Sequence, residues 1–402
     1  MSVVVAILGL GLLIFVHECG HFFASLALRM RPRKFYLGFP PAVAKTTRNG
    51  IEYAIGAVPL GGFVKIPGMH RPAPADVDQH FGRVLQEAPD LAGPFDRLRR
   101  ALAAGEMEGA RASLPALRAQ VASRSLTPAA QAAAERGLVE IDDALGPDAY
   151  WRAPTWKRVV AIFAGPAANI VLALVLFAVL FATAGGKATT TVDSVAADTP
   201  AERAGLRPGD EIVAIGGRAV SAGEISRTIS SSEGRPLTVV VVRSGELVEL
   251  GPVSARETNG AYRLGFVLAG EGLGPAAAVG EAFRVTGLVT KEIVASLGRL
   301  VTGEGREEIA SPVGIVQGSS EAAKQGADSY LWVLGLISLS IALLNLLPLL
   351  PLDGGHIAFA LVEGVRGRSV GREIYERVSV VGIAIVLLLF FIGLSNDIGR
   401  LS

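Results

Sequence analysis

The hydrophobic residues of this chain are concentrated in four long runs, separated by stretches of ordinary polarity. The runs cover residues 2–28, 159–183, 331–347 (continuing to 352) and 378–394. A helix needs about 20 mostly apolar residues to cross a bilayer. The pattern therefore predicts a polytopic α-helical membrane protein with four transmembrane helices in a lipid bilayer.

The first run, residues 2–28, could also be read as a secretory signal peptide. It lacks a basic N-terminal region and a small-residue cleavage site, so a membrane helix is favoured. Lys and Arg cluster after the first run, before the second, and between the third and fourth. Because positive charges favour the cytoplasmic side, we expect both termini to be extracytoplasmic and residues 29–156 and 357–377 to be cytoplasmic.

Residues 29–69 alternate in polarity like a small sheet. Asn49-Gly50 lies between two strand-like segments and predicts a β-hairpin. The glycines Gly61 and Gly62 follow and allow a close approach of the backbone. This segment could be a plain surface hairpin, or a membrane-associated edge strand that pairs with an extended substrate.

Residues 70–156 are rich in Ala and Arg and have helical spacing of apolar residues, as in Leu114, Leu117 and Val121. Prolines at 72, 74, 89, 94, 115 and 128 are expected to cut this segment into short helices. The segment predicts a cytoplasmic helical insertion, either a small bundle or a surface for a partner.

Residues 186–272 predict a compact β-rich domain. Strands are expected at 192–195, 211–215 and 237–242, and helices at 200–204 and 222–231. Residues 273–328 are interpreted as an amphipathic helix, over 276–300, followed by a linker.

The candidate chemistry begins in the first run with His17-Glu18-Cys19-Gly20-His21. Two imidazoles four residues apart lie on one face of a helix, a spacing that suits two ligands of a tetrahedral Zn²⁺. Glu18 is offset by one residue, so it can reach a zinc-bound water and act as general base. Ionisable residues inside an apolar span favour a functional reading over simple interhelical hydrogen bonds. Cys19 points away from this face and is read as a small apolar residue.

Zinc requires a third protein ligand. The third run ends in NLLPLLPLDGGH, residues 345–356, where prolines and glycines break the helix. Asp353 is the favoured ligand and His356 the alternative. A continuous helix from Leu331 would place Asp353 roughly 33 Å along its axis, near the inner side reached by His17.

Two buried amides have open roles. Asn345 could hold an extended substrate or stabilise an oxyanion, and equally well bond a neighbouring helix. Asn169, after the small residues 164–168, could face the site or serve close helix packing.

Composition adds exclusions. The net charge is +1, and Lys and Arg form no dense stripe with interleaved aromatic residues, so nucleic acid is not an expected partner. The single cysteine excludes an internal disulfide framework.

Together these residues resemble the site-2 protease family of intramembrane zinc metalloproteases, in the bacterial branch that includes the regulator of sigma-E protease. The resemblance rests on HECGH (17–21), PLGGFVK (59–65), FAGPAAN (163–169), SPVGI (311–315) and NLLPLLPLDGG (345–355). Residues 201–217, AERAGLRPGDEIVAIGG, resemble a PDZ domain. The match covers nearly the whole chain except about 70–150.

The resemblance implies His17, His21 and Asp353 as ligands of one Zn²⁺ and Glu18 as catalytic base. It implies a single-pass membrane protein as substrate, shortened beforehand on its outer side, with an anti-sigma factor as one example. The PDZ domain would bind a new C-terminus or exclude a substrate ectodomain by size. The implied location is the bacterial inner membrane.

Two other functions compete with the protease. A zinc-binding membrane transporter or sensor would share the His/Asp cluster, but it leaves Glu18 and the PDZ-like segment unexplained. A catalytically silent scaffold would not need the intact zinc motif.

The predicted organisation is transmembrane helices at 1–28, 157–185, 329–356 and 378–396, a β region at 29–69, the insertion at 70–156, the PDZ domain at 186–272, a helix and linker at 273–328 and a loop at 357–377.

Overall fold

The computed structural model describes residues 2–183, 185–258, 260–303, 305–306 and 309–401. The helices in chain order are α1 (Ser2–Ala27), α2 (Pro74–Glu87), α3 (Ala92–Ala104), α4 (Met107–Ala122), α5 (Pro128–Leu145), α6 (Thr155–Thr183), α7 (Pro200–Arg203), α8 (Ala222–Ser230), α9 (Pro275–Thr302), α10 (Pro312–Gln325), α11 (Ala327–Asn345), α12 (Asp353–Arg366) and α13 (Arg372–Leu401). The strands are β1 (Lys34–Arg48), β2 (Ile51–Lys65), β3 (Lys187–Val195), β4 (Glu211–Ile215), β5 (Arg218–Ala219), β6 (Leu237–Arg243), β7 (Glu246–Val253), β8 (Arg256–Thr258), β9 (Ala261–Arg263) and β10 (Phe266–Glu271).

Within the described part of the chain, four helices are long and apolar enough to cross a membrane: α1, α6, α11 and α13. They coincide with the four hydrophobic runs of the sequence. Their exposed surfaces carry large apolar side chains, such as Leu8 at 68% and Val171 at 59% exposure. Such apolar surfaces are suited to contact with lipid.

The helix break predicted within residues 345–356 is confirmed, whereas the single transmembrane helix predicted over 329–356 is not. Helix α11 stops at Asn345 and a separate helix, α12, begins at Asp353, so the depth estimate along one continuous helix is wrong. Pro348 and Pro351 lack the N–H that would continue the helix. The chain then turns so tightly that a Cβ on Gly354 would lie 2.2 Å from the carbonyl oxygen of Leu346.

Two further helices are absent from the prediction. The predicted loop 357–377 instead contains α12 as far as Arg366 and, from Arg372, the first turns of α13. The predicted linker after α9 contains α10, which packs against α1.

The predicted hairpin at Asn49-Gly50 is confirmed. Both residues have positive φ, 52° and 74°, and the turn joins β1 to β2. Residues 34–37 of β1 pair on one side with residues 52–55 and on the other with residues 62–65. The hairpin therefore curls back on itself and leaves residues 62–65 at an edge of the small sheet.

Residues 70–150 form a helical bundle, as one of the two alternatives predicts, and a role as a surface for a partner stays a prediction. Helices α2–α5 share one apolar core that includes the fully buried Phe81, Phe95 and Leu138. The expectation that every proline breaks the segment is wrong, because Pro115 lies inside α4 and Pro94 inside the first turn of α3. The buried apolar face holds α4 together across the missing hydrogen bond.

A second compact unit comprises Leu174–Val289 with Gly326–Gly335. In it, strands pair in the order β10-β3-β4-β6-β7, with β5 paired to β4. The expected strands and the two expected short helices are present, α7 and α8 ending one residue earlier than predicted. Their core includes Val192, Ile212, Ile225 and Val241. Its assignment as a PDZ domain stays a prediction.

Candidate metal centre

Helix α1 places His17, Glu18 and His21 on its buried face. All three residues are at most 8% exposed, in a helix whose other surfaces are apolar. The i, i+4 spacing brings the two imidazoles together, with Nε2 of His17 3.2 Å from Nε2 of His21. Helix α12 delivers Asp353 to the same point, with Oδ2 3.2 Å from Nε2 of His17 and 3.3 Å from Nε2 of His21.

A hydrogen bond sets the orientation of one imidazole. Nδ1 of His21 donates to the carbonyl oxygen of Ala161 in α6, at 3.1 Å. Because a carbonyl oxygen can only accept, the proton of the neutral ring lies on Nδ1 and the lone pair on Nε2 faces His17 and Asp353. This is the outer contact by which proteins fix the tautomer of a metal-binding histidine.

The three donor atoms fit a metal ion. His17, His21 and Asp353 form a group whose ligand atoms lie close enough to hold one ion. Tetrahedral zinc with bonds of about 2.0–2.1 Å would separate its ligands by about 3.4 Å, close to the 3.2–3.3 Å found here. A carboxylate oxygen and an imidazole lone pair aimed at one another repel unless a cation lies between them. Oδ2 of Asp353 is buried and has no hydrogen-bond donor of its own.

Glycines allow three close approaches around this group. A Cβ on Gly165 of α6 would lie 2.2 Å from Nε2 of His21, and a Cβ on Gly62 would lie 2.9 Å from Cγ of Glu18. A Cβ on Gly20 would lie 2.2 Å from the carbonyl oxygen of Ala164. The FAGPAAN segment was recognised in the sequence as suited to close packing, but nothing in the pattern indicated that Gly165 touches His21.

A cavity of about 780 Å³ opens beside the group and is lined by His17, Glu18, His21 and Asp353. Gly61, Gly62 and Asn345 also line it, as the sequence suggested. Asn169 is fully buried, is not among the lining residues, and accepts a hydrogen bond from Ser338 through its backbone oxygen at 2.8 Å. His356 lines the cavity, but its Nδ1 lies 2.6 Å from the hydroxyl of Tyr375, outside the three-residue group.

The sequence did not indicate that the insertion would reach this cavity. Side chains of α2 and α5, among them Gln79, His80 and Glu140, form part of its lining. They come from a segment that has no recognisable motif, and only the folded chain brings them near the metal group.

Comparison with known proteins places this geometry in context. The model of peptidase family M50 matches residues 5–389. A protein of Agrobacterium fabrum whose name places it among the zinc metalloproteases is 31% identical, the alignment covering 98% of this chain and 95% of that protein. A similarly named protein of Rhizobium meliloti is 32% identical over 98% of this chain and 95% of its own length. Zinc metalloprotease RasP of Geobacillus kaustophilus is 28% identical, with 99% of this chain and 98% of RasP covered.

Proposed function

Because this chain belongs to peptidase family M50, the site-2 protease family, and is a zinc metalloendopeptidase of the membrane, we propose that it performs regulated intramembrane proteolysis. The substrate proposed is a single-pass membrane protein already cut on its outer side, such as an anti-sigma factor. The observation that carries the proposal is the meeting of His17, Glu18 and His21, on a helix apolar enough to cross a membrane, with Asp353 of α12 beside one cavity.

Each of the four residues has a proposed role. His17 and His21 of α1 and Asp353 of α12 hold the zinc ion, since their donor atoms converge within 3.3 Å of one another. Bound zinc supplies a Lewis acid that polarises the scissile carbonyl and activates a water molecule. Glu18 is the general base, which takes a proton from the attacking water and delivers it to the leaving amine nitrogen.

The edge of the curled hairpin supports a proposal for substrate binding. Residues 62–65 pair with residues 34–37 on one side, and Gly62 lies against the Glu18 side chain. A substrate must leave its helical conformation before cleavage, because helical amides are shielded by their own hydrogen bonds. We propose that the unwound segment lies in the cavity along Gly61 and Gly62, and that the Asn345 amide holds it or the developing oxyanion.

Asn169 has a different proposed role. It lies outside the cavity lining, and its backbone oxygen accepts a hydrogen bond from Ser338 of α11. We propose that it serves the packing of α6 on α11.

The membrane arrangement follows from the charge pattern. We propose a bacterial inner (plasma) membrane protein with both termini extracytoplasmic, the insertion in the cytoplasm and residues 186–272 outside. The latter are proposed to be a PDZ domain that either binds the C-terminus exposed by the first cut or excludes substrates whose ectodomain is intact.

The decisive variant is Glu18→Gln, assayed in lipid nanodiscs with a reporter that has one membrane-spanning segment. Removal of a general base is expected to lower the cleavage rate by about 10²–10⁴-fold. Zinc should remain bound, because Glu18 is not among the three ligand residues. The measurements are product formation and zinc content per chain.

A matched control is Glu135→Gln, since Glu135 is exposed on α5 and lies outside the cavity lining. That variant should cleave at the parental rate. Full activity of Glu18→Gln would remove Glu18 from its role, and unchanged zinc content in Asp353→Ala would remove Asp353 from the ligand set.

A further inference from the structure

The cavity beside the metal group has one wall built by the helical insertion. Helix α2 contributes Asp76, Gln79 and His80, and helix α5 contributes Glu140 and Ile141. These residues share the cavity with Glu18 and Asp353 although they belong to the part of the chain with no family motif. A segment that lines a catalytic cavity contacts whatever occupies it.

Ion pairs fasten this wall to the hairpin. Arg33, next to β1, contacts Asp143 of α5 at 2.7 Å and Asp148 at 2.8 Å. Lys65, the last residue of β2, contacts Glu140 at 2.5 Å and Asp143 at 3.7 Å. Lys65 is three residues from Gly62, whose backbone lies against Glu18. The insertion is therefore held in a defined place relative to the catalytic groups.

The bundle core holds the wall residues in place from behind. Gln79 and His80 precede the fully buried Phe81, and Glu140 precedes the buried Ile141. The two helices touch closely at this point, because a Cβ on Gly137 of α5 would lie 2.6 Å from Cβ of His80. The close-packed core therefore fixes the backbone positions from which the wall side chains project.

The permanently charged residues that line the cavity at this wall are Lys65 and the two carboxylates of Asp76 and Glu140. Lys65 pairs with Glu140, and Arg33 pairs with Asp143 and Asp148, which are not among the lining residues. In the closest of these pairs the Glu140 side chain is 46% exposed and that of Lys65 only 24%. The carboxylate thus remains open to a second cation.

We propose that helices α2–α5 form a substrate-selecting wall, in which Gln79, His80 and Glu140 contact the residues flanking the scissile bond on the soluble side and favour Lys or Arg there. Membrane proteins carry an excess of Lys and Arg beside the cytoplasmic ends of their helices, so the wall matches a feature that such substrates have. The inference rests on the proposed proteolytic function. It adds that the wall determines which substrate sequences the protease prefers beside the scissile bond.

The test uses the full chain in nanodiscs and three reporters with the same membrane segment. At the positions next to the membrane segment on the soluble side, the first reporter carries only Lys, the second only Gln and the third only Glu. The value of kcat/KM is measured for each reporter. The parent enzyme is expected to prefer the Lys reporter over the Glu reporter. Glu140→Lys should shift that ratio toward the Glu reporter by about fivefold or more, the scale of one partly exposed ion pair made and one repulsion removed.

Two more variants make the result specific. Glu140→Gln, which keeps the shape of the side chain, should bring the ratio toward one without reversing it. Glu135→Lys makes the same charge change on the same helix at an exposed position outside the cavity lining, and should leave the ratio unchanged.

Equal losses for all three reporters in both Glu140 variants would show that the wall only supports the fold, and would overturn the proposal, as would a ratio identical to the parental one. Neither result touches the proposed function, which is tested by Glu18→Gln on the same reporters. Cleavage of all three reporters by Glu18→Gln would instead contradict the assignment of the catalytic base.

Discussion

Helix α1 and the bundle α2–α5 distribute polar and apolar side chains in opposite ways. Helix α1 exposes Val4, Leu8 and Phe23 at 59–68% and buries His17, Glu18 and His21. The bundle buries Phe81, Phe95, Leu98 and Leu138 at 0–1% exposure and places its ion pairs outside. The same rules of burial act in both regions, but the solvent differs, because lipid accepts apolar surface and cannot hydrogen-bond a charge.

The comparison explains why the chemistry lies in α1. A polar side chain in a water-exposed bundle is solvated at little cost, so its position says little about function. In a membrane helix a polar side chain must find partners inside the protein. Three polar side chains on one face of α1 therefore indicate a common functional site. The metal group supplies those partners.

The largest expected effect comes from filling the space beside His21. Gly165→Leu would place a side chain where Cβ alone lies 2.2 Å from Nε2 of His21, so the imidazole must leave its position. We expect the loss of bound zinc and a fall in cleavage of at least about 100-fold, as for the loss of an oriented metal ligand. Zinc content and reporter cleavage are the measurements.

Gly11→Leu provides the matched control, because nothing lies within 4 Å of a Cβ at Gly11 of α1. It should retain zinc and activity. Retention of both in Gly165→Leu as well would contradict the contact between α6 and the metal group.

The second prediction compares the same Leu→Ala truncation in the core of the bundle and on the exposed surface of α1. Leu138→Ala removes a 1% exposed side chain from the bundle core and should cost about 2–5 kcal/mol. Leu8→Ala removes a 68% exposed side chain from α1 and should change stability by less than about 0.5 kcal/mol. Hydrogen exchange of the bundle amides and of α1 in nanodiscs gives both values. Equal costs at the two positions would contradict the assignment of Leu8 to a lipid-facing surface.

The sequence predicted the parts of the fold that depend on local pattern. The four long apolar helices follow from the long apolar runs, and the hairpin follows from Asn49-Gly50, which accepts positive φ at low cost. The metal group was predicted because His17 and His21 share one helical face and Asp353 follows a helix break. None of these inferences required long-range contacts.

The missed features depend on contacts between distant segments. The charge pattern of residues 357–377 predicts a cytoplasmic loop, whereas α12 continues as far as Arg366. The tight turn at Gly354, which precedes this new helix, depends on contacts with the carbonyl oxygens of Leu346 and Leu347. Pro115 was expected to end a helix, but burial of Leu114 and Leu117 in the bundle core keeps α4 continuous. The approach of Glu140 to the catalytic cavity depends on Arg33 and Lys65, more than 70 residues away in sequence.

The third prediction reverses the polarity of an exposed apolar position. Leu12→Asp places a charge near the middle of α1, where its side chain is 48% exposed, and should reduce membrane insertion by about 2.5–3.5 kcal/mol. Val139→Asp on α5, 44% exposed, should change bundle stability by no more than about 0.5 kcal/mol. A membrane-insertion assay measures the effect of Leu12→Asp, and hydrogen exchange measures the effect of Val139→Asp. A fully inserted Leu12→Asp chain would show that this face of α1 is not in contact with lipid.

The smallest effect concerns a polar contact outside the membrane helices, between Asp210 and Arg243 in the second compact unit. Nε and Nη2 of Arg243 each donate to the Asp210 carboxylate at 2.7 Å, and the backbone N–H of Arg207 donates at 2.8 Å. The hydrogen bonds from Arg243 are the main reason that the pKa of Asp210 is lowered from its ordinary value. The Asp210 side chain is only 2% exposed, but that of Arg243 is 25% exposed and can be solvated when its partner is lost. Loss of the pair should therefore cost on the order of 1 kcal/mol.

The sign of the pH dependence follows from that lowered pKa. The contribution of Asp210 is fully present above the pKa of an unfolded aspartate, about 4, and is lost as the pH falls through the lower folded pKa. Asp210→Asn should therefore destabilise β4 and β6 at pH 7, and the difference from the parent should shrink as the pH falls below about 4. Urea titrations followed by hydrogen exchange in these strands measure it, with Glu249→Gln on the exposed face of β7 as the control without an effect. A difference that stays constant with pH would show that shape at residue 210, and not its charge, stabilises the sheet.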